Sequence, residues 1–262
     1  MTYEAFTLEV ADGVGHVRLT QPERGNPFDA AFLDEISRVA TECDENDGVR
    51  AVLVEATGRF FSVGADLRML TKDREELRRI IKNGTAGLHM AISRFTRMDA
   101  PVVTAVHALA AGGGVAIAAA SDFCLAGRSA RFYCGYTGIG LTPDGGATAM
   151  VVRRVGSRRA ADFFMRNRNW SAEEALEYGL ISEVVEDDQL GARARQLAEE
   201  LAAGPTRAYG ELKNLLLSAQ DQTLEAQLED EARAMSRIVR TEDPWRAMNA
   251  VIQKQTPTFG GH

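Results

Sequence analysis

The sequence predicts an α/β fold. Short β-branched runs alternate with amphipathic helical runs through the N-terminal part, a glycine triplet opens a long uncharged stretch, and the C-terminal part is helical almost throughout. With 262 residues, 45% of them hydrophobic, the chain can build one large domain, with or without an appendage, around a sizeable core.

The first element is a hairpin: strands over 7–11 and 14–20 are joined by Asp12-Gly13, a dipeptide that tolerates the left-handed backbone of a tight turn. Arg24-Gly25-Asn26-Pro27 reads as a loop. Asp29 then stands at an N-cap position, and Phe32, Leu33, Ile36, Val39, Ala40 and Cys43 follow at helical spacing. A β-branched strand over 49–55 completes a β-α-β unit. The pattern recurs as a loop at 56–66, a helix over 74–98, a strand at 102–106, the glycine turn, a buried helix and a strand at 123–126. Such alternation implies largely parallel pairing with crossover helices outside. From 145 the chain turns helical, with helical spacing at 158–167, 189–203, 207–217 and 223–241 and a short strand at 181–185. We place a boundary near 200, between an α/β core over 1–200 and a helical part over 201–262. The Leu212, Leu215, Leu216 stripe and the Leu224, Leu228, Ala232, Met235, Val239 stripe suit packing at home and on a neighbouring subunit alike.

Thirty basic residues against 37 acidic ones leave a formal charge of −7, with no basic stripe, so neither nucleic acid nor an anionic membrane is an expected partner. Cys43, Cys124 and Cys134 lack metal or redox spacing and read as buried side chains in a reducing compartment. Residues 1–9 have neither a basic nor an apolar segment of the export type, and a cytoplasmic protein is expected. The stretch 102–120 is long enough to span a bilayer. Its Ala, Val and Gly content, with His107 and the triplet 112–114, instead suits a buried strand, turn and helix.

Two segments have the character of anion or oxyanion sites. In Phe60-Phe61-Ser62-Val63-Gly64-Ala65-Asp66-Leu67 a strand gives way to a small-residue turn and a helix start, where backbone N–H groups lack partners. In Ala111-Gly112-Gly113-Gly114 the missing side chains let a ligand approach the backbone. Neither matches a nucleotide-binding fingerprint. Placed after two strands of one sheet, they suggest two converging donors able to hold a developing oxyanion.

These segments, with Pro101 through Asp122, Gly140-Leu-Thr-Pro-Asp-Gly-Gly146 and the tail Pro257-Thr-Phe259, resemble the enoyl-CoA hydratase/isomerase, or crotonase, superfamily over essentially the whole chain. The resemblance implies a spiral of β-β-α units, a helical C-terminal trimerisation region, a homotrimer or dimer of trimers, and an acyl-CoA thioester substrate with no further cofactor. It implies oxyanion donors at the N–H groups of Ala65 and Gly113, with Gly64 and Gly112 beside them as substrate-binding residues. It also implies CoA contacts by Arg24 with the phosphates, by the Val63 backbone with the adenine, and by Lys254 with a phosphate in its own or a neighbouring subunit. Asp66, counted with the substrate- and CoA-binding residues, is expected to cap the helix beginning there and so to position the Ala65 N–H.

Departures from the pattern decide the chemistry expected. Hydratases of the superfamily carry two acid/base glutamates, where this sequence has Ala116 and Tyr136. Alanine cannot move a proton, and an ordinary tyrosine, with a pKa of ~10, is poorly matched to activating water. Asp144 is the next ionisable candidate; it is either an N-cap or a reacting carboxylate. The segment around it is similar to that of isomerases of phenylacetate degradation, in which the matching Asp shuttles a proton. His89 stands where hydrolytic 4-chlorobenzoyl-CoA dehalogenases carry a histidine. This implies an alternative, a dehalogenase or thioester hydrolase with Asp144 as nucleophile and His89 as base. Leu88 and Tyr136 depart from that branch's aromatic residues. Tyr136 either packs or lines the acyl pocket and donates a hydrogen bond. His16, His107, Asp122 and Glu55 read as structural. A CoA-thioester binder without turnover is a third possibility.

Overall fold

A computed structural model describes residues 2–261. The hairpin pairs β1 (Phe6–Ala11) with β2 (Val14–Leu19) around Asp12 and Gly13, both left-handed at φ 51° and 79°. A two-residue strand, β3 (Pro27–Phe28), precedes α1 (Ala30–Glu45), whose N-cap Asp29 accepts from the Phe32 N–H. Next come β4 (Ala51–Ala56), β5 (Phe60–Ser62), β6 (Gly64–Ala65), a one-turn helix α2 (Leu67–Leu70) and α3 (Leu77–Arg97). The centre of the chain holds β7 (Val102–Val106), β8 (Leu109–Ala111), α4 (Gly113–Ala120), β9 (Phe123–Gly127), β10 (Arg131–Tyr133) and α5 (Ala147–Met165). It closes with β11 (Asn169–Ser171), α6 (Ala172–Tyr178), β12 (Glu183–Val185) and four helices, α7 (Leu190–Ala202), α8 (Thr206–Ser218), α9 (Leu224–Ile238) and α10 (Glu242–Ile252).

The larger sheet runs β1-β2-β4-β7-β9-β12, parallel from β2 onward. A second sheet runs β11-β10-β8-β5. Successive turns of the chain lay one strand in each sheet and then a helix, as in β7, β8, α4 and β9, β10, α5, so the chain winds as a spiral of β-β-α units. The larger sheet is covered on both faces, which is why its strands read as continuous apolar runs. Val52 and Val54 face the main core, while Ala51, Leu53, Val103, Ala105 and Leu125 pack with Leu190, Ala194, Ala198 and Ala202 of α7. Residue 200 lies inside α7, and the helical arm begins after Gly204-Pro205.

Several elements differ from the sequence expectation. The strands β3, β6, β8, β10 and β11 and the helix α6 are too short for a hydrophobic period to form. The break between two helical runs in α5 sits at Gly156, at φ 80°, so helix begins well before 158. α10 was not expected; Pro244 falls in its first turn, where a missing N–H costs no helical bond. The stretch 102–120 divides into β7, β8 and the wholly buried α4, and among the described residues no helix is long and apolar enough to cross a membrane. All three cysteines are buried and free.

Candidate active site

The loop carrying the first donor is held by two buried polar side chains. Asn26 donates from Nδ2 to the carbonyls of Thr57, Phe60 and Phe61 at 3.0–3.1 Å and accepts from the Gln21 N–H. Ser62 Oγ donates to the Asn26 carbonyl at 2.8 Å and accepts from the Gly64 N–H at 3.1 Å. Gly64 sits at φ 76°, and a Cβ there would lie 2.7 Å from the Ala111 carbonyl oxygen and 3.3 Å from the Gly113 nitrogen. Glycine therefore lets the two donor segments touch. β6 pairs in parallel with β3, the Asp66 N–H donating to the Phe28 carbonyl at 3.3 Å. Alternation along the strand turns the preceding N–H, that of Ala65, away from β3.

The second donor comes from the start of α4. Gly112, at φ 52° and ψ −116°, occupies backbone space open only to glycine and donates its N–H to the Tyr133 carbonyl. The Val115 and Ala116 N–H groups turn back to the Gly112 carbonyl. The Gly113 N–H, one of the first-turn donors that a helix cannot satisfy, has no hydrogen-bond partner among the described residues. Ala65 and Gly113 both line one cleft of about 470 Å³.

Asp144 lines the same cleft, as do Tyr133, Tyr136, Thr85 and Thr142. The N-cap of α5 is Gly146, without a side-chain capping bond, so Asp144 is not the helix cap. Its Oδ1 accepts from the Tyr136 hydroxyl at 2.8 Å, and its carbonyl accepts from the Ala147 N–H at 3.0 Å. Burial, and then the neighbouring Asp144 charge, push the Tyr136 phenol well above its ordinary range, so it keeps its proton and donates. Ala116 is fully buried and contributes nothing to the cleft wall. A Cβ on Gly145 would come 3.0 Å from the Ala116 Cβ, so the turn packs closely beside that position.

Other expected residues lie differently. His89 is exposed and faces a separate cavity of about 560 Å³, its Nε2 accepting from the Gly145 N–H at 3.1 Å. Arg24 is committed to Asp29 and Asp66, at 2.5 and 2.7 Å, and to Gln21. Two carboxylates thus hold the cation expected to meet phosphates. Asp66 caps α2, accepting from the Arg68 and Met69 N–H groups. The Val63 side of the loop lines the cleft, but its N–H is spent on the Gly25 carbonyl. Lys254, exposed and at φ 59°, lies just beyond the C-cap of α10 and does not line this cleft. The structural readings of His107, Asp122 and Glu55 agree with their bonds to the Gly58 carbonyl, to Lys213 and the Val102 N–H, and to Arg18.

Sequence reasoning overlooked Asn26 and Ser62. Their only signal was an Asn in a Gly-Asn-Pro loop and a Ser two residues before a glycine. It also overlooked Tyr133, whose phenol oxygen accepts from Asn167 Nδ2 at 2.5 Å. Among the described residues, no group of three or more His, Cys, Asp or Glu is placed to hold a metal ion.

A family model described as enoyl-CoA hydratase/isomerase matches residues 9–262. The chain belongs to this family. Its fold is that of the crotonase superfamily: an enoyl-CoA hydratase/isomerase from Cupriavidus metallidurans superposes with a TM-score of 0.88 at 29% identity, covering 98% of this chain and 96% of that one. Among characterised relatives, the 1,2-epoxyphenylacetyl-CoA isomerase of Escherichia coli is 33% identical over 98% of this chain and 99% of its own. A 4-chlorobenzoyl coenzyme A dehalogenase of Arthrobacter is 29% identical over 87% of this chain and 83% of its own. This member of the enoyl-CoA hydratase/isomerase family therefore carries a cleft with two backbone donors and one carboxylate, Asp144, among its lining residues.

Proposed function

We propose that the protein isomerises an acyl-CoA thioester through an enolate, with Asp144 moving the proton. The observation that carries this reading is the cleft itself, where Asp144 stands with Ala65 and Gly113 and is the one carboxylate among the described residues that line it. The N–H groups of Ala65 and Gly113 hold the thioester oxygen as charge develops on it. For a double-bond shift, Asp144 takes a proton from the carbon next to the carbonyl and the electron pair moves into the enolate. The same proton then returns two carbons further along, so the double bond migrates into conjugation and nothing is oxidised or reduced. One carboxylate suffices, and no redox or metal cofactor is required. Tyr136 holds Asp144 toward the cleft, and Leu67, Leu70, Ile80, Ile81, Leu88 and Ile139 give the acyl group an uncharged wall.

The same reading makes the protein a cytoplasmic homotrimer or dimer of trimers. Support comes from the exposed apolar side chains of the helical arm, among them Leu216, Leu224, Met235, Trp245 and Ile252. Sedimentation of the purified chain tests it, a monomer at micromolar concentration being the contrary result.

The deciding experiment is a panel of 3-enoyl, 2-enoyl, epoxyphenylacetyl and 4-chlorobenzoyl thioesters with products identified by mass and NMR. Isomerisation without mass change is expected. Hydration of the 2-enoyl thioester alone, or chloride release, would overturn the reading, and binding without turnover of any member would make the protein a thioester binder.

A further inference from the structure

We propose that His89 is a positioning residue for Asp144, acting through the Gly145 N–H and not on substrate. This inference rests on Asp144 being the proton shuttle. The His89 Nε2 accepts from the Gly145 N–H at 3.1 Å, which only a neutral ring with its proton on Nδ1 can do. That amide belongs to the peptide directly after the Asp144 Cα, so holding it fixes the rotation that aims the carboxylate. Gly145 lies at φ 59° and Gly146 at φ 73°, outside the helical ladder of α5, whose bonds begin with Ala147 donating to the Asp144 carbonyl. Asp144 is thus held at its side chain by Tyr136, at its carbonyl by Ala147, and at the following amide by His89.

The same geometry removes His89 from the chemistry. Its neighbour Leu88 lines the acyl cleft, whereas His89 faces the cavity between α3, α5 and the end of α8. Its Nε2 lone pair is occupied, so it is unavailable to activate water over Asp144. The charged groups around it are Asp144 from the turn, Arg153 from α5 in an ion pair with Asp221 beyond α8, and Arg97 on α3 itself; α4 contributes none.

The test is steady-state kinetics of the full-length protein on a 3-enoyl thioester, comparing parent, His89→Ala, His89→Gln and Asp144→Asn. His89→Ala is expected to lower kcat by about tenfold with KM within about twofold, the signature of misplaced catalytic geometry. His89→Gln offers an Oε1 that accepts from the Gly145 N–H at every pH. It is expected to restore kcat to within about threefold of the parent at parental KM. A Gln variant as slow as the Ala variant would mean that the ring itself reacts, and an Ala variant equal to the parent would mean that it does nothing. Either overturns the proposal. If the Ala variant fails to fold, the Gln variant decides alone, a kcat more than about threefold below the parent at parental KM overturning the proposal. If Asp144→Asn leaves turnover unchanged, the proposed function fails first; if it abolishes turnover while His89→Ala has no effect, only the role of His89 fails.

Discussion

Residues 111–114 and 142–146 are both glycine-rich turns that lead into a helix and line the same cleft, yet the first offers backbone and the second a side chain. In the first, helix begins at once at Gly113, so the residue carrying an unsatisfied N–H of its opening turn lines the cleft. In the second, two left-handed glycines delay the helix until Ala147. Asp144 is left outside it, and its carboxylate accepts from Tyr136 instead of from the helix N-terminus. A helix start can therefore serve an anion directly, or it can be set back so that a neighbouring carboxylate stays available for chemistry. The flanking glycines choose between these outcomes.

The comparison breaks most visibly at Asp144. Asp144→Asn keeps an Oδ1 that accepts from Tyr136 but cannot take a proton, so kcat on a 3-enoyl thioester is expected to fall by about 10²–10⁴-fold with an unchanged melting curve. The backbone donors answer only to displacement. In Gly113→Ala the new Cβ would lie 2.2 Å from Phe28 Cε2, on a ring stacked at 3.8 Å against Phe32. Either Phe28 or the donor must move, and kcat is expected to drop by about 10²–10³-fold together with a lower Tm. A Gly113→Ala protein that keeps full activity would show that this N–H is not used.

Tyr136→Phe removes the only side-chain hydrogen bond recorded for Asp144 among the described residues and should cost about tenfold in kcat. The phenol also leaves a mark on stability. Burial, followed by the Asp144 charge, raises the Tyr136 pKa, and burial with the Glu42 bond raises that of Tyr3 to about 12. Above the unfolded tyrosine value of about 10, the native state still holds protons that the unfolded chain has lost, so stability falls as pH rises. Urea unfolding between pH 9 and 11.5 is expected to show this slope, and Tyr136→Phe to lessen it.

The smallest effect is expected at the thiols. Burial pushes Cys43 and Cys124 up to about 12 and raises Cys134 as well. Iodoacetamide at pH 7.5 should leave native activity unchanged and label all three only after denaturation. Inactivation of the native protein would mean that Asp144 is not the sole reactive group near the cleft.

Much of this was legible from order along the chain. The hairpin follows from Asp12-Gly13, α1 from its cap and apolar spacing, and the buried α4 from a run of Gly, Ala, Val and Ile too apolar to face water on any side. The two donor turns could be named because a small-residue turn before a helix leaves N–H groups unpaired wherever it occurs. The role of Asp144 could not be chosen in this way. A carboxylate before two glycines reads as a cap until φ at Gly145 and Gly146 is known.

The sequence by itself determined which residues can carry charge, which backbone can be left bare, and that Ala116 removes one proton-transfer group from the family pattern. Those are properties of single residues and their near neighbours. Only the tertiary structure decided who meets whom. Arg24 closes on Asp29 and Asp66, Tyr136 points its hydroxyl at Asp144, and His89 turns out of the cleft to hold the Gly145 amide. Asp66 lies 42 residues beyond Arg24, and Gly145 lies 56 beyond His89. At such separations a partner is set by how strands and helices pack, and local spacing carries no record of it.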